Sequence, residues 1–444
     1  MRLLIPSAII ELTGEIQQCL LLAKQQGFAI DHIELGVSPT RTLQLISSAK
    51  TVVFETDLIH NDSRHLGAHD FALHYHHSLT LTEVSSYLGS ECKAKTLLIN
   101  LQGEQGEAFD VWRHPLADET RALRFSIRQN HSQNESVESI YRHLAWVVTL
   151  SALDFPIEDC LTLARAMLNV SRETWVSDFA LFPTPVLHLD EFDILPSHNL
   201  EGLTKAFPRV IAQQLGLYPV VDDVSWIEKL LPLGVNTVQL RIKDPNQVDL
   251  EQQIVRAIQL GRDYGAQVYI NDYWQLAIQH QAYGVHLGQE DLQVADLAAL
   301  TNAGIALGLS THGYYELLRI VQLQPSYIAL GHIFPTTTKQ MPSLPQGLVR
   351  LKLYQQLIDT MPYDESITGV PTVAIGGIDQ SNAATVWQCG VSSLAVVRAI
   401  TLAKDVKAVI EYLKQVMTPN TTQVHLDSAS THSLEPISEA NHVG

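Results

Sequence analysis

A chain of 444 residues exceeds what one hydrophobic core ordinarily supports, so it is read as two domains. Hydrophobic residues make up 46% and charged residues 17%, which excludes a disordered or supercharged chain. A formal net charge of -18, with no Lys/Arg run to offset it, argues against nucleic acid and anionic membranes as partners.

The opening stretch MRLLIPSAIIELTGEIQQ is interrupted by Glu11 and Glu15 before a secretory or membrane segment could form, so the expected location is the cytoplasm. Strand candidates follow at TVVFE, FALHYHH and TLLINL, and a helix pair is expected from Ser136 to Leu168. This first domain reads as α/β. The cluster His65, His69, Asp70, His74, His76 and His77 has spacings that suit transition-metal ligation, but ordinary surface or strand histidines are the favoured reading. Cys19, Cys92, Cys160 and Cys389 are too far apart for a close-paired zinc or disulfide framework and are expected to be buried free thiols.

Periodicity is lost between His188 and Gln214, in HLDEFDILPSHNLEGLTKAFPRVIAQQ. The expected division is therefore a domain at 1–187, a linker at 188–214, a second domain at 215–417 and a mobile polar tail at 418–444. In the second domain the apolar runs LYPVV, VNTVQL, QVYI, YGVHL, IALGL, YIALG, PTVAI and SSLAVV alternate with amphipathic helical stretches. Eight such units predict a (β/α)8 TIM barrel, with an open doubly wound sheet as the alternative.

Reactive groups in such a barrel gather where the strands end. Gln239, Arg241 and Lys243 alternate to one side of the second strand end and can converge on an anion, although such charges also occur simply as surface. Asp272 and Asp291 follow neighbouring strands and could share Mg²⁺ with a diphosphate, or serve as helix caps. The segment Thr336-Thr337-Thr338-Lys339 reads as an anion-binding loop or a polar turn. Gly376-Gly377 and Val397-Arg398 close the seventh and eighth strands, where barrels often bind a second phosphate and where a glycine pair can also be a tight turn.

Together QLRIKD, IND, GVHLGQEDL, GLSTH, FPTTTK with MPSLPQGL, VAIGGI and VVRAI resemble the thiamine-phosphate synthase family, in order and spacing, over nearly the whole second domain. The resemblance implies condensation of hydroxymethylpyrimidine diphosphate with a thiazole phosphate to give thiamine phosphate and pyrophosphate. It implies that Gln239, Arg241, Lys243, Asn271, Ser310 and Lys339 hold the pyrimidine diphosphate, with Arg241, Lys243, Ser310 and Lys339 as the catalytic set. Asp272 and Asp291 would hold Mg²⁺; Thr336, Thr338, Gly377, Val397 and Arg398 would surround the thiazole phosphate, and Thr337 would be among the substrate-binding residues. Two departures stand out: Ile242, where the family often has an acid, and a longer approach to the seventh strand from Pro362 to Gly369. A thiazole tautomerase, which shares the phosphate end, and a non-catalytic precursor sensor are the competing readings. Self-association is left open.

In the first domain, LLINLQGEQGEAFDVW, LRFSIRQN and LTLARAMLNVS resemble in organisation the latter part of ribokinase-like hydroxymethylpyrimidine-phosphate kinases. No glycine occurs between Glu107 and Glu201, where such kinases need a phosphate-binding turn. The domain is therefore expected to be a degenerate kinase that serves binding, regulation or assembly.

Overall fold

Short apolar runs bounded by turn residues fold into two sheets. The computed structural model describes residues 1–59, 69–89, 95–114, 119–126, 136–194, 205–336, 344–364 and 366–418. The first sheet is mixed, with strand order β2-β1-β3-β4-β5-β6-β7-β8-β9 among the described residues. Its strands are β1 (Arg2–Pro6), β2 (Glu34–Ser38), β3 (Leu43–Ile46), β4 (Thr51–Thr56), β5 (Phe71–His74), β6 (Thr96–Gln102), β7 (Glu107–Arg113), β8 (Thr120–Ser126) and β9 (Thr184–Pro185).

Successive side chains of a strand point to opposite faces, and both faces of this sheet are covered. In β6, Leu97 and Ile99 join the main core with helices α1 (Leu12–Gln25), α3 (Val137–Ala152) and α4 (Ile157–Met167), while Leu98 and Leu101 pack with helix α2 (Leu81–Leu88) and Phe192. This double burial is why Leu97, Leu98 and Ile99 follow one another without a polar residue between them. Helix α4 is tied to the sheet by a buried bidentate pair: Arg165 donates to Asp110 at 2.9 and 2.8 Å. The glycines of QGEQGE make the hairpin turn between β6 and β7, where the Gly103 amide donates to Glu107 O, so they do not open a helix. His69 pairs with Glu55 at 3.1 Å, Asp70 accepts from the Val53 amide, and His77 bonds Ile99 O, while His65 lies outside the described residues. Cys19 and Cys160 are buried free thiols and Cys389 is a half-buried one. Cys92 is outside the described residues.

The second sheet is a closed, all-parallel barrel: β10 (Leu217–Val221), β11 (Thr237–Leu240), β12 (Gln267–Asn271), β13 (Gly284–Leu287), β14 (Ala306–Thr311), β15 (Tyr327–Gly331), β16 (Thr372–Ile375) and β17 (Ser393–Val396). The closed order decides between the two sheet architectures left open by the periodicity. Each apolar run meets helices outside and a filled interior inside. That interior holds Tyr218, Tyr269 and Tyr327, all essentially buried. They fit because the neighbouring strands carry glycine: a Cβ on Gly284 would overlap the Tyr269 ring, and one on Gly308 the Tyr327 ring.

The junction is packed where it is described. Phe207 and Val210 are buried, and the Tyr363 hydroxyl accepts from the Val210 amide and donates to Ser326 O. The added stretch Pro362–Gly369 therefore anchors the chain's entry into the barrel. Residues 195–204 and the tail from 419 onward lie outside the described residues. Among the described residues, no helix is long and apolar enough to cross a membrane.

Candidate active site

A cavity of about 1400 Å³ opens at the carboxyl ends of the barrel strands. Gln239, Arg241, Lys243, Asn271, Asp272, Asp291, Ser310, Thr336, Gly377, Val397 and Arg398 all line it. Thr337, Thr338 and Lys339 lie outside the described residues.

Strand geometry explains the convergence. Gln239 ends inward on β11, while Leu240 and Ile242 are 1% and 3% exposed in the surrounding core. An acid at 242 would need a buried partner, so isoleucine suits this position. Asn271 closes β12 opposite His286 on β13, and Ser310 on β14 stands opposite Ala329 on β15. Asp272 adopts a left-handed backbone, φ 65°, a conformation that aspartate tolerates better than most residues. Asp291 accepts the Gly288 amide at 3.2 Å in the first turn of a short helix. The helix-cap alternative is thus realised for Asp291, with the residue still on the cavity wall.

Beneath the cavity lies a hydrogen-bonded floor that the sequence reading missed. Tyr218 and Tyr327 share a 2.8 Å hydroxyl contact, and the Gln239 amide donates to Tyr218 at 3.3 Å. His286 reaches Tyr327 through Nδ1 at 2.7 Å and Ser310 through Nε2 at 2.8 Å. The imidazole therefore links a buried tyrosine to a cavity hydroxyl, and Gln289 adds a bond to Ser310 O at 2.7 Å. The alternation in GVHL, which puts Gly284 and His286 on one face, is the signal that could have found it. Burial raises the pKa of Tyr218 and Tyr327, so the floor is neutral hydroxyls rather than phenolates.

Other missed residues flank the cavity. His312 contacts the Glu316 carboxylate through its own amide, 2.7 Å, and through Nδ1, 2.9 Å. The His332 imidazole is held below its ordinary pKa by burial and then by nearby His312. Gly376 and Gly377 have φ of 105° and 67°, and a Cβ on either would strike His332 or the Phe334-Pro335 segment. The glycine pair is thus a tight turn forced by close backbone approach, on the cavity wall. Among the described residues, no three His, Cys, Asp or Glu side chains gather in a group able to hold a metal ion. Asp272 and Asp291 both line the cavity, and two carboxylates would suit an ion that takes its remaining oxygens from water and phosphate.

Known proteins similar to this chain match its barrel half. The family described as thiamine monophosphate synthase matches residues 216–400. A thiamine-phosphate synthase of Yersinia pestis is 58% identical over 202 residues, 46% of this chain and 89% of that protein. One from Serratia proteamaculans is 54% identical over 218 residues, 49% of this chain and 98% of that protein. A solved thiamine phosphate pyrophosphorylase from Pyrococcus furiosus is 27% identical, covering 46% of this chain and 96% of that chain, with a TM-score of 0.40. With the barrel, its lined cavity and these identities together, the chain belongs to the thiamine-phosphate synthase family.

Proposed function

We propose that this chain joins hydroxymethylpyrimidine diphosphate to a thiazole phosphate, giving thiamine phosphate and pyrophosphate, in the cytoplasm. The gathering of Gln239, Arg241, Lys243, Asn271, Asp272, Asp291 and Ser310 around one cavity supports this reading most directly. It favours the synthase over a tautomerase, which needs no site for a diphosphate and its metal.

In this reading the bond between the pyrimidine methylene and the diphosphate oxygen breaks first, and the electron pair leaves with pyrophosphate. The thiazole nitrogen then donates its lone pair to the methylene cation, so no protein nucleophile and no proton transfer are required. Arg241, Lys243 and Lys339 stabilise charge on the departing pyrophosphate, the arginine through a planar fork and the lysines as compact charges. Asp272 and Asp291 hold Mg²⁺, which when bound neutralises diphosphate charge as a Lewis acid. Gln239 and Asn271 orient the pyrimidine end, and Ser310 donates to the diphosphate. Thr336, Gly377, Val397 and Arg398 on the cavity wall, together with Thr338, hold the thiazole phosphate, which places the attacking nitrogen in line.

The test is to mix the full chain with both phosphorylated precursors and Mg²⁺ and follow thiamine phosphate and pyrophosphate together. Equal amounts of the two products are expected. Binding of both precursors without product would replace the synthase with a sensor.

A further inference from the structure

We propose that Asp159, supplied by the first domain, is a positioning residue for the barrel's active site: it caps the helix Tyr314–Val321 and so fixes the turn that follows Ser310. The proposal rests on the synthase reading above.

Only Thr311, His312 and Gly313 separate Ser310 from that helix. Thr311 and His312 line the cavity, so a shift of the first helical turn is transmitted to the strand end. The first amides of a helix lack partners within it and need an acceptor from outside. On the barrel side the N-cap position is Gly313, which has no side chain to serve. The acceptor comes instead from α4 of the other domain, where Asp159 Oδ1 takes the Tyr315 amide at 2.9 Å.

Residue 313 and the carboxylate fit one another. A Cβ on residue 313 would overlap the Asp159 carboxyl group, so the barrel leaves a space there that the first domain fills. Asp159 is 3% exposed. It stands in the first turn of α4 and against the first turn of Tyr314–Val321, and both helix dipoles favour an acceptor at that point.

Both sides of the contact are firmly held. Arg165 and Asp110 fix α4 to its sheet. Beside it, Trp112 packs edge-on to Tyr315 at 5.4 Å, and Phe182 stacks on Tyr314 at 5.7 Å. Arg350 of the barrel donates to Leu153 O at 2.6 Å. From the same helix, Glu316 holds His312, so the cap bears on two cavity residues. The 202 residues shared with the Yersinia pestis relative span 89% of that protein, which therefore consists of little more than a barrel. In this chain the cap is a contribution of the added domain.

The experiment uses the full-length chain with Mg²⁺ and both substrates, comparing wild type with Asp159→Ala, Asp159→Asn, Gly313→Ala and the double Asp159→Ala/Gly313→Ala. Asp159→Ala should lower kcat/KM for the pyrimidine diphosphate about tenfold, in line with losing a helix cap, through a higher KM. The KM for the thiazole phosphate, held by other residues of the cavity wall, should stay unchanged. Asp159→Asn, whose amide oxygen still accepts the Tyr315 amide, should stay within about threefold of wild type. Gly313→Ala should be impaired while Asp159 is present and relieved in the double variant, which also carries the test should Asp159→Ala fail to fold. Unchanged constants in Asp159→Ala, or a loss of kcat with both KM values unaltered, would overturn the positioning role. If wild type itself makes no thiamine phosphate, the synthase reading falls, and hydrogen exchange across 308–321 decides the cap. Faster exchange in Asp159→Ala then supports it and equal protection overturns it.

Discussion

At the scale of single residues, the site divides charge between two kinds of group. Arg241 and Lys243 bring fixed positive charge to the cavity, whereas Asp272 and Asp291 are suited to hold a cation that arrives with the diphosphate. Asp272→Asn should keep an oxygen in place but remove its charge. We expect turnover to fall about 100-fold, with the Mg²⁺ concentration for half-maximal rate moving upward. A metal titration of initial rates reads both effects, and an unshifted midpoint would remove Asp272 from the metal's ligands. Lys339→Ala should likewise cost about 100-fold in kcat with unfolding unchanged, and near-normal thiamine phosphate production would remove it from the catalytic set. Arg241, Lys243 and Asp272 were legible in QLRIKD and IND because each motif stands where a strand ends, and Asp291 and Lys339 in the segments that follow later strands. Tyr218 and Tyr327 were not legible in that way, and for His286 the alternation in GVHL gives only the face it occupies. Their roles come from hydrogen bonds across four different strands.

At the scale of elements, glycines and one ion pair decide whether the strands can hold these residues. Gly308 makes room for the Tyr327 ring, which carries the hydroxyl that meets both His286 and Tyr218. Gly308→Ala overpacks the barrel interior and should cost about 1–3 kcal/mol of stability, measured by denaturant unfolding. In the first domain, Asp110→Ala would leave Arg165 buried without a counter-charge. That change should cost about 3–5 kcal/mol, and a midpoint close to wild type would show that Arg165 finds another partner. The helix pair expected from Ser136 to Leu168 is present as α3 and α4, because both helices carry strong apolar faces; α3 is capped by the Ser136 side chain, and α4 opens with Glu158 and Asp159 in its first turn. The sheet they cover was only partly legible. Short strands such as β2 and β3 are held by pairing with distant partners, and a local period of four or five residues cannot announce such pairing.

At the scale of the whole molecule, the two domains form one packed body around Asp159. Burial is the largest influence on its carboxyl and raises its pKa to about 7; the Tyr315 and Tyr314 amides oppose the shift, and Glu158 and Glu316 add to it. A folded pKa above the unfolded one means that the native state binds the proton more tightly. The stabilising contribution is therefore complete below the unfolded pKa, near 3.8, and is lost as pH rises towards 7. Asp159→Asn removes this titration, so its melting temperature relative to wild type should be more favourable at pH 8 than at pH 5. Equal differences at the two pH values would show that Asp159 does not titrate in that window. Tyr314 and Tyr354 also stand near the carboxyl, and burial raises the pKa of both further above that window.

By itself the sequence determined the eight strand-helix units of the second domain and the polar residues at their strand ends, because apolar runs bounded by polar residues obey rules that act within a few residues; closure of the sheet was decided by the tertiary structure. It also shows that no glycine occurs between Glu107 and Glu201. The tertiary structure alone decided what stands beneath and beside the site. The tyrosine-histidine floor needs barrel closure to bring β10, β11, β13, β14 and β15 around one axis. The cap on Tyr314–Val321 needs two residues 156 positions apart to meet. Contacts of that separation depend on how whole elements pack, and local propensity carries no trace of them.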